Sequence, residues 1–469
     1  MLIPVALNLA VMSCKVPALV DRNAHTVVPD SFGAPQDTAN ISTIPWKTFF
    51  KDQNLVALID TALQNNQELN ITLQEIEITR NEILMRKGAI LPSVHVGGGI
   101  GLEKVGRYTS TGAGDASTEI TPGKEVPEWL MDFAPAMYAN WEVDIWKKLR
   151  NAKKAAVTRY LATVEGKNFV ITNLIAEIAS SYYELLAMDA KLQVVRQNIE
   201  LQKNALEIVK IQKEAAQTTE LGVQKFQAEV LASQSLEFGI LQEIKAIENR
   251  INFLLGRYPQ EIKRDKTDFL SLAAADIHTG IPSALLENRP DVKQAELELA
   301  AAKIDISVAR AEFYPSLEIS GALGLQAFSP AYLARLPESL LFTLVGEMAG
   351  PIINRNAITA EFNTANSRQM QAIYNYERTV LNAYLEVSTE LSNIANLQKS
   401  YNLRAQQVET LNRAISVSND LFKSARVDYF EVLMTQRDVL ETKLELMETK
   451  MELLTSGVQV YRSLGGGWK

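Results

Sequence analysis

Val94-His95-Val96-Gly97-Gly98-Gly99-Ile100-Gly101-Leu102-Glu103 alternates strictly: the even positions are apolar or glycine, and the odd ones are small or polar. A period of two is the signature of a strand with two unlike faces. Leu317-Glu318-Ile319-Ser320-Gly321-Ala322-Leu323-Gly324-Leu325 repeats the pattern about 223 residues later. Ala139-Asn140-Trp141-Glu142-Val143-Asp144-Ile145 alternates in the same way, with Asn140, Glu142 and Asp144 sharing one face, and Leu340 to Met348 reads as a fourth strand. Segments of about ten residues, apolar on one face and small or polar on the other, have the length of tilted strands in a transmembrane barrel.

The strands belong to a duplicated chain. Ile90-Leu91-Pro92-Ser93-Val94 recurs as Phe313-Tyr314-Pro315-Ser316-Leu317, and Leu255-Gly256 recurs as Leu464-Gly465 at an offset of 209. The difference between the two offsets is extra chain in the first copy, and the Gly/Ser/Thr-rich stretch from Gly106 to Pro127 reads as the exposed loop that holds it. The expected organisation is a first repeat over 67–256, a linker over 257–284 and a second repeat over 285–469, preceded by an extension and equatorial segment over 15–66.

No proline lies between Pro135 and Pro259, or after Pro351. Those stretches are rich in Ala, Leu, Glu, Gln and Lys at helical spacing, as in Leu174, Ile178, Ser181, Leu185 and Met188. One continuous helix is predicted from about Asn151 to Ala215, roughly 95 Å at 1.5 Å per residue, and another from about Ala357 to Ser424, roughly 100 Å. Their near-heptad apolar seams predict helix packed on helix in a long bundle.

Four strands do not close a barrel, because single-chain membrane barrels begin at about eight, and an open edge in lipid leaves backbone groups unpaired. Several chains must share one barrel, and three would supply twelve strands. A small soluble sheet surrounded by helices is the other arrangement the pattern allows. Composition trims the functional classes. Of the 469 residues 47 are basic and 55 acidic, a net charge of -8, which gives no electrostatic reason to bind nucleic acid. A single cysteine, Cys14, and three scattered histidines exclude an internal disulfide and a cysteine-rich zinc site. No Walker, nucleophile-elbow or His-Glu-x-x-His pattern occurs, so neither enzyme chemistry nor a cofactor is expected.

The runs Trp141-Glu142-Val143-Asp144-Ile145-Trp146, Leu285-Leu286-Glu287-Asn288-Arg289-Pro290-Asp291-Val292 and Tyr461-Arg462-Ser463-Leu464-Gly465-Gly466-Gly467-Trp468 resemble the TolC-like outer-membrane factors, in the lipoprotein branch that serves resistance-nodulation-division efflux systems. The resemblance covers nearly the whole chain from about Pro45. It implies a mixed α and β membrane protein: a homotrimer whose 12-stranded β-barrel, four strands per chain, sits in the outer membrane of a Gram-negative bacterium and continues as a long α-helical barrel in the periplasm. Such a channel conducts passively and works with a periplasmic adaptor and an inner-membrane pump.

The resemblance also places residues. The two periplasmic turns fall at Glu214 to Leu221 and Lys423 to Leu433, where Ala216, Thr219, Leu221, Arg426, Val427 and Tyr429 are the candidate adaptor contacts. The family usually has glycine where Ala216 and Ala425 stand, which predicts a more helical turn or one shifted by a residue. The family commonly narrows the pore with aspartates just above the second turn; here Asn419 stands at that position, so the gate carboxylate is either displaced to Asp420 or absent, Asp420 being as readily a solvated surface charge. With the apolar strand faces toward lipid, Glu103, Asn140, Glu142, Asp144, Glu318 and Glu347 line the lumen and predict a weak cation preference.

Residues 2 to 11 form an apolar core of signal-peptide length, and Val11-Met12-Ser13-Cys14 resembles a lipobox. The expectation is a signal over 1–14 and acyl chains on Cys14; a free thiol at the N-terminus is the alternative. The rival to a channel is a periplasmic coiled-coil scaffold without a pore.

Overall fold

The computed structural model describes residues 16–19, 22–25, 27–32, 40–265, 268–273, 278–351, 353, 355–424 and 426–469. The chain forms α1 (Gln53–Asn65), α2 (Gln67–Gly88), β1 (Ser93–Glu103), β2 (Leu130–Val143), α3 (Lys148–Glu214), α4 (Glu220–Leu254), α5 (Pro290–Ala311), β3 (Ser316–Leu325), β4 (Leu340–Ala349), α6 (Asn356–Lys423) and α7 (Tyr429–Ser463), with shorter turns of helix between them. It divides into two compact units. The first holds residues 77–161 and 297–373 with the start of the chain; the second holds 24–76, 162–296 and 374–469. Each sequence repeat therefore contributes to both.

The first unit is built on a four-stranded antiparallel sheet in the order β1-β2-β3-β4. Its register keeps unlike residues apart. Val94, Val96, Ile100 and Leu102 stand opposite Ala139, Met137, Phe133 and Met131, and Leu317, Ile319 and Leu323 continue that face. Val96 and Ile100 are 80% and 77% exposed, far more than an isolated soluble sheet leaves open. Two expectations need correction. The second strand begins at Leu130, nine residues before the predicted start, and ends at Val143 because Asp144 leaves the ladder. The stretch from Gly106 to Pro127 is partly ordered, with a short helix over Ser110–Asp115 and a hairpin joining Glu119–Thr121 to Lys124–Glu125.

The second unit is helical. Along α3 the buried positions Val195, Ile199, Gln202, Leu206 and Val209 step by four and three; along α4 Val223, Phe226, Val230 and Ser233 do the same. This is the seam of a two-helix coiled coil. Leu206, Val209, Val223, Phe226 and Val230 share one cluster with Leu433 of α7, so the two hairpins meet there. At the base of the hairpins Gly256 and Gly465, with φ of 66° and 88°, close Schellman-type helix ends: Arg257 N–H donates to Asn252 O, and Gly466 N–H to Tyr461 O. The Asn-Arg-Pro-Asp run has a structural reason. Arg289, 3% exposed, donates to Asp291 Oδ2 at 2.7 Å, Glu386 Oε2 at 2.9 Å and Ser463 O at 2.8 Å, tying the start of the second repeat to the end of α7. No described helix is long and apolar enough to cross a membrane.

Candidate functional site

On the face opposite the apolar rows, Glu142 of β2 stands directly across from Glu318 of β3, which stands directly across from Glu347 of β4. Like charges in adjacent register destabilise a sheet, so three carboxylates in one line do not serve the sheet's stability. Lys148 Nζ, at the start of α3, lies 2.6 Å from Glu142 Oε1 and 3.6 Å from Glu312 Oε1. Asn140 faces Ser320 one row away, and Glu103 faces Leu130 at the far end of the same face. Five of the six sequence-selected strand residues thus share a face.

Asp144 is the exception and a correction. It lies beyond β2, its side chain is 3% exposed, and its carboxylate accepts N–H from Leu149 at 3.1 Å and from Arg150 at 2.9 Å. Asp144 caps the N-terminus of α3, where the helix dipole also favours its charge. Strict alternation through Ile145 concealed the cap; the helical run beginning within four residues of Asp144 was the available signal.

At the first turn Ala216 takes φ of 55°, with its N–H bonded to Lys213 O and Gln217 N–H to Gln212 O. This overturns the expectation that alanine would make the turn more helical or shift it. The chain takes the left-handed conformation that glycine favours, and the alanine bears the steric cost. Thr219 caps α4 by accepting Gly222 N–H at 3.3 Å, and Leu221 beside it is 59% exposed. Lys213 pairs with Glu220 across the turn, and Gln224 donates to Glu220 at 2.7 Å. These hydrogen bonds, Gln224's first and Lys213's second, hold the Glu220 carboxyl below the ordinary glutamate range. The sequence reading missed this network, although Glu220 and Gln224 stand one helical turn apart.

At the second turn Ala425 lies outside the described residues. Arg426 N–H donates to Leu421 O at 2.9 Å, the counterpart of the Gln217 bond. Arg426 is exposed, Val427 half-buried, and Tyr429 opens α7. Lys225 Nζ sits 4.6 Å from the centre of the Phe430 ring, joining the two hairpins near the turns. Asn419, half-buried, and Asp420, exposed, are consecutive on α6 and so point about 100° apart. Ser424 donates its N–H and hydroxyl to Asp420 O at 3.2 and 2.9 Å. Among the described residues no group of His, Cys, Asp and Glu could hold a metal ion. Cys14 lies outside the described residues.

The model of the outer membrane efflux protein family matches residues 58–257 and 281–466. The chain belongs to this family. As an outer membrane efflux protein it is 27% identical over 426 residues to the pyoverdine export outer membrane protein OpmQ of Pseudomonas aeruginosa, which covers 90% of this chain and 87% of that one. It is 24% identical over 473 residues to the cation efflux system protein CusC of Escherichia coli, covering 100% and 99%. A crystal structure of CusC superposes with a TM-score of 0.84 at 23% identity over 96% of this chain and 99% of that one. The open-state crystal structure of the MtrE outer membrane channel of Neisseria gonorrhoeae gives 0.83 at 20% identity over 97% and 98%. The efflux protein is an outer-membrane channel component, and the pore-free scaffold falls away.

Proposed function

We propose that three copies of this chain join their sheets edge to edge into one twelve-stranded barrel, and that this barrel together with a helical barrel conducts cargo passively from periplasm to exterior. The observation that carries the proposal is the sheet itself. It has two free edges among the described residues, one continuous apolar face and one face with carboxylates in register. Closure pairs β1 of one copy with β4 of the next and removes every edge from the lipid.

With the apolar face toward lipid, Glu103, Asn140, Glu142, Glu318 and Glu347 turn inward, three copies of each. A lumen with Glu142, Glu318 and Glu347 in adjacent rows attracts cations and repels anions. The two turns, with Ala216, Thr219, Leu221, Arg426, Val427 and Tyr429, are the surface that meets a periplasmic adaptor, itself coupled to an inner-membrane resistance-nodulation-division pump. Just above them three copies of Asn419 or Asp420 narrow the pore. The chain supplies a conduit and no catalytic step.

Light scattering of the detergent-extracted protein gives a protein mass near 156 kDa, three times 52.0 kDa, if this proposal holds. In planar bilayers the channel favours cations, and Glu142→Gln with Glu318→Gln and Glu347→Gln abolishes the preference. A monomer that needs no detergent would sink the channel, and an anion-selective pore would sink the assignment of faces.

A further inference from the structure

The apolar row of β1 runs Val94, Val96, Gly98, Ile100, Leu102, and Lys104 continues it by one more step. Leu102 stands opposite Met131 and Glu103 opposite Leu130, so the next residues in register are Lys104 and Trp129. They meet: Lys104 Nζ lies 5.1 Å from the Trp129 ring centre. The ammonium is also 3.2 Å from Glu128 Oε2, and Glu128 Oε1 is 3.8 Å from Arg107 Nε. Two cations share one carboxylate, and their side chains stay 45% and 34% exposed. The acids of the neighbouring hairpin are placed otherwise, Glu119 opposite Glu125, with the Glu119 carboxylate accepting Gly123 N–H at 2.9 Å.

Twelve residues along β2, on the same apolar face, stands Trp141. It is 37% exposed, and its Nε1–H donates to Ile90 O at 3.0 Å. At about 3.3 Å per residue and a tilt near 40°, the two tryptophans are separated by roughly 30 Å of depth, the height of an apolar band with an aromatic girdle at each margin. The margins differ chemically. At the inner one the indole bonds backbone; at the outer one it carries the Lys104 ammonium, which shares the single Glu128 carboxylate with Arg107. A lysine there lays its methylene stem along apolar surface and lifts its ammonium into the headgroup layer, where phosphate is the available anion.

We propose that Lys104, Arg107 and Trp129 form a headgroup site for the phosphate of an anionic glycolipid in the outer leaflet. The site rests on the reading that the apolar face meets lipid and that the loop end of the strands lies outside. Inorganic phosphate lacks acyl chains to seat beneath Trp129 and is not the ligand.

The test uses the trimer in nanodiscs of phosphatidylcholine with and without diphosphoryl lipid A, and measures lipid A retained per trimer by mass spectrometry after re-extraction. Wild-type protein is expected to retain it, each of Lys104→Gln and Arg107→Gln to lower retention roughly 5-fold, and the double variant about 30-fold. A heat-resistant trimer band for each variant confirms an intact barrel. Unchanged retention in the double variant, or displacement by inorganic phosphate, overturns the site. Quenching of Trp129 and Trp141 by brominated acyl chains, read as differences against Trp129→Phe and Trp141→Phe, separates the two failures. Quenching of both without lipid A retention sinks the headgroup site alone, whereas quenching of neither sinks the lipid-facing assignment beneath it.

Discussion

Arg196 of α3 donates to Glu237 of α4 at 2.7 Å, and Arg404 of α6 donates to Glu445 of α7 at the same 2.7 Å; in both hairpins the partners are 41 residues apart. Each hairpin carries one such clamp, though at an offset of 208 the two do not stand at duplicated positions, which are Ala405 and Leu446 in the second copy. Arg196 is 55% exposed and Glu237 23%, so solvent screens the pair and each clamp contributes no more than about 0.5 kcal/mol. In a thermal double-mutant cycle Arg196→Ala and Glu237→Ala should each lower stability slightly, with a coupling that fades as salt rises. A coupling above about 2 kcal/mol would show the pair to be desolvated in the trimer.

Ala216 offers a gain. Its φ of 55° places a Cβ in the region where side chains cost about 1–2 kcal/mol. Ala216→Gly should stabilise the solubilised protein by up to that order, read as a higher denaturation midpoint, the looser unfolded chain taking back part of it. A fall in the midpoint would mean that Ala216 makes contacts in the assembly that outweigh its backbone strain.

Gly324 and Gly346 share the sheet and should not share a fate. A Cβ on Gly324 would collide with the Ala136 side chain and the Pro135 carbonyl of β2, whereas one on Gly346 meets nothing within 4 Å. Gly324→Ala should cut the yield of heat-resistant trimer sharply, and Gly346→Ala should leave it unchanged; gel mobility of membrane extracts reads both. Equal yields would mean that β2 and β3 can move apart freely.

Gln202 is fully buried on the seam of α3, and neither amide atom has a hydrogen-bond partner. Gln202→Leu should therefore stabilise the hairpin by about 1–3 kcal/mol, measured by denaturant unfolding. The same substitution removes the polar element in a run of apolar seam residues, which in coiled coils fixes register. A destabilised Gln202→Leu would show that the amide finds partners in the trimer.

The parts of the fold set by periodicity were legible. Period two located all four strands of the main sheet, though it missed the first nine residues of the second, and heptad seams located α3 and α6 to within three residues of their ends, because burial of one face is a property of the residues themselves. What chemistry at element ends decides was less so. Asp144 alternates like a strand residue and acts as a helix cap, and Ala216 adopts a glycine conformation that its side chain disfavours. Alternation put Glu103, Asn140, Glu142, Glu318 and Glu347 on one face of the sheet but also Asp144, which leaves it, and the register that brings Glu142, Glu318 and Glu347 into one line exists only once three strands are paired.

The sheet's two open edges bear on how the protein is made. A chain whose β1 and β4 each lack a neighbour reaches its full stability only when two others arrive, so the folded population depends on the third power of the free chain concentration. Until that encounter each chain presents a sticky margin at both sides of the sheet. Low expression should then lower the fraction of chains that mature as well as their number, and escort proteins that keep the margins apart should set the yield.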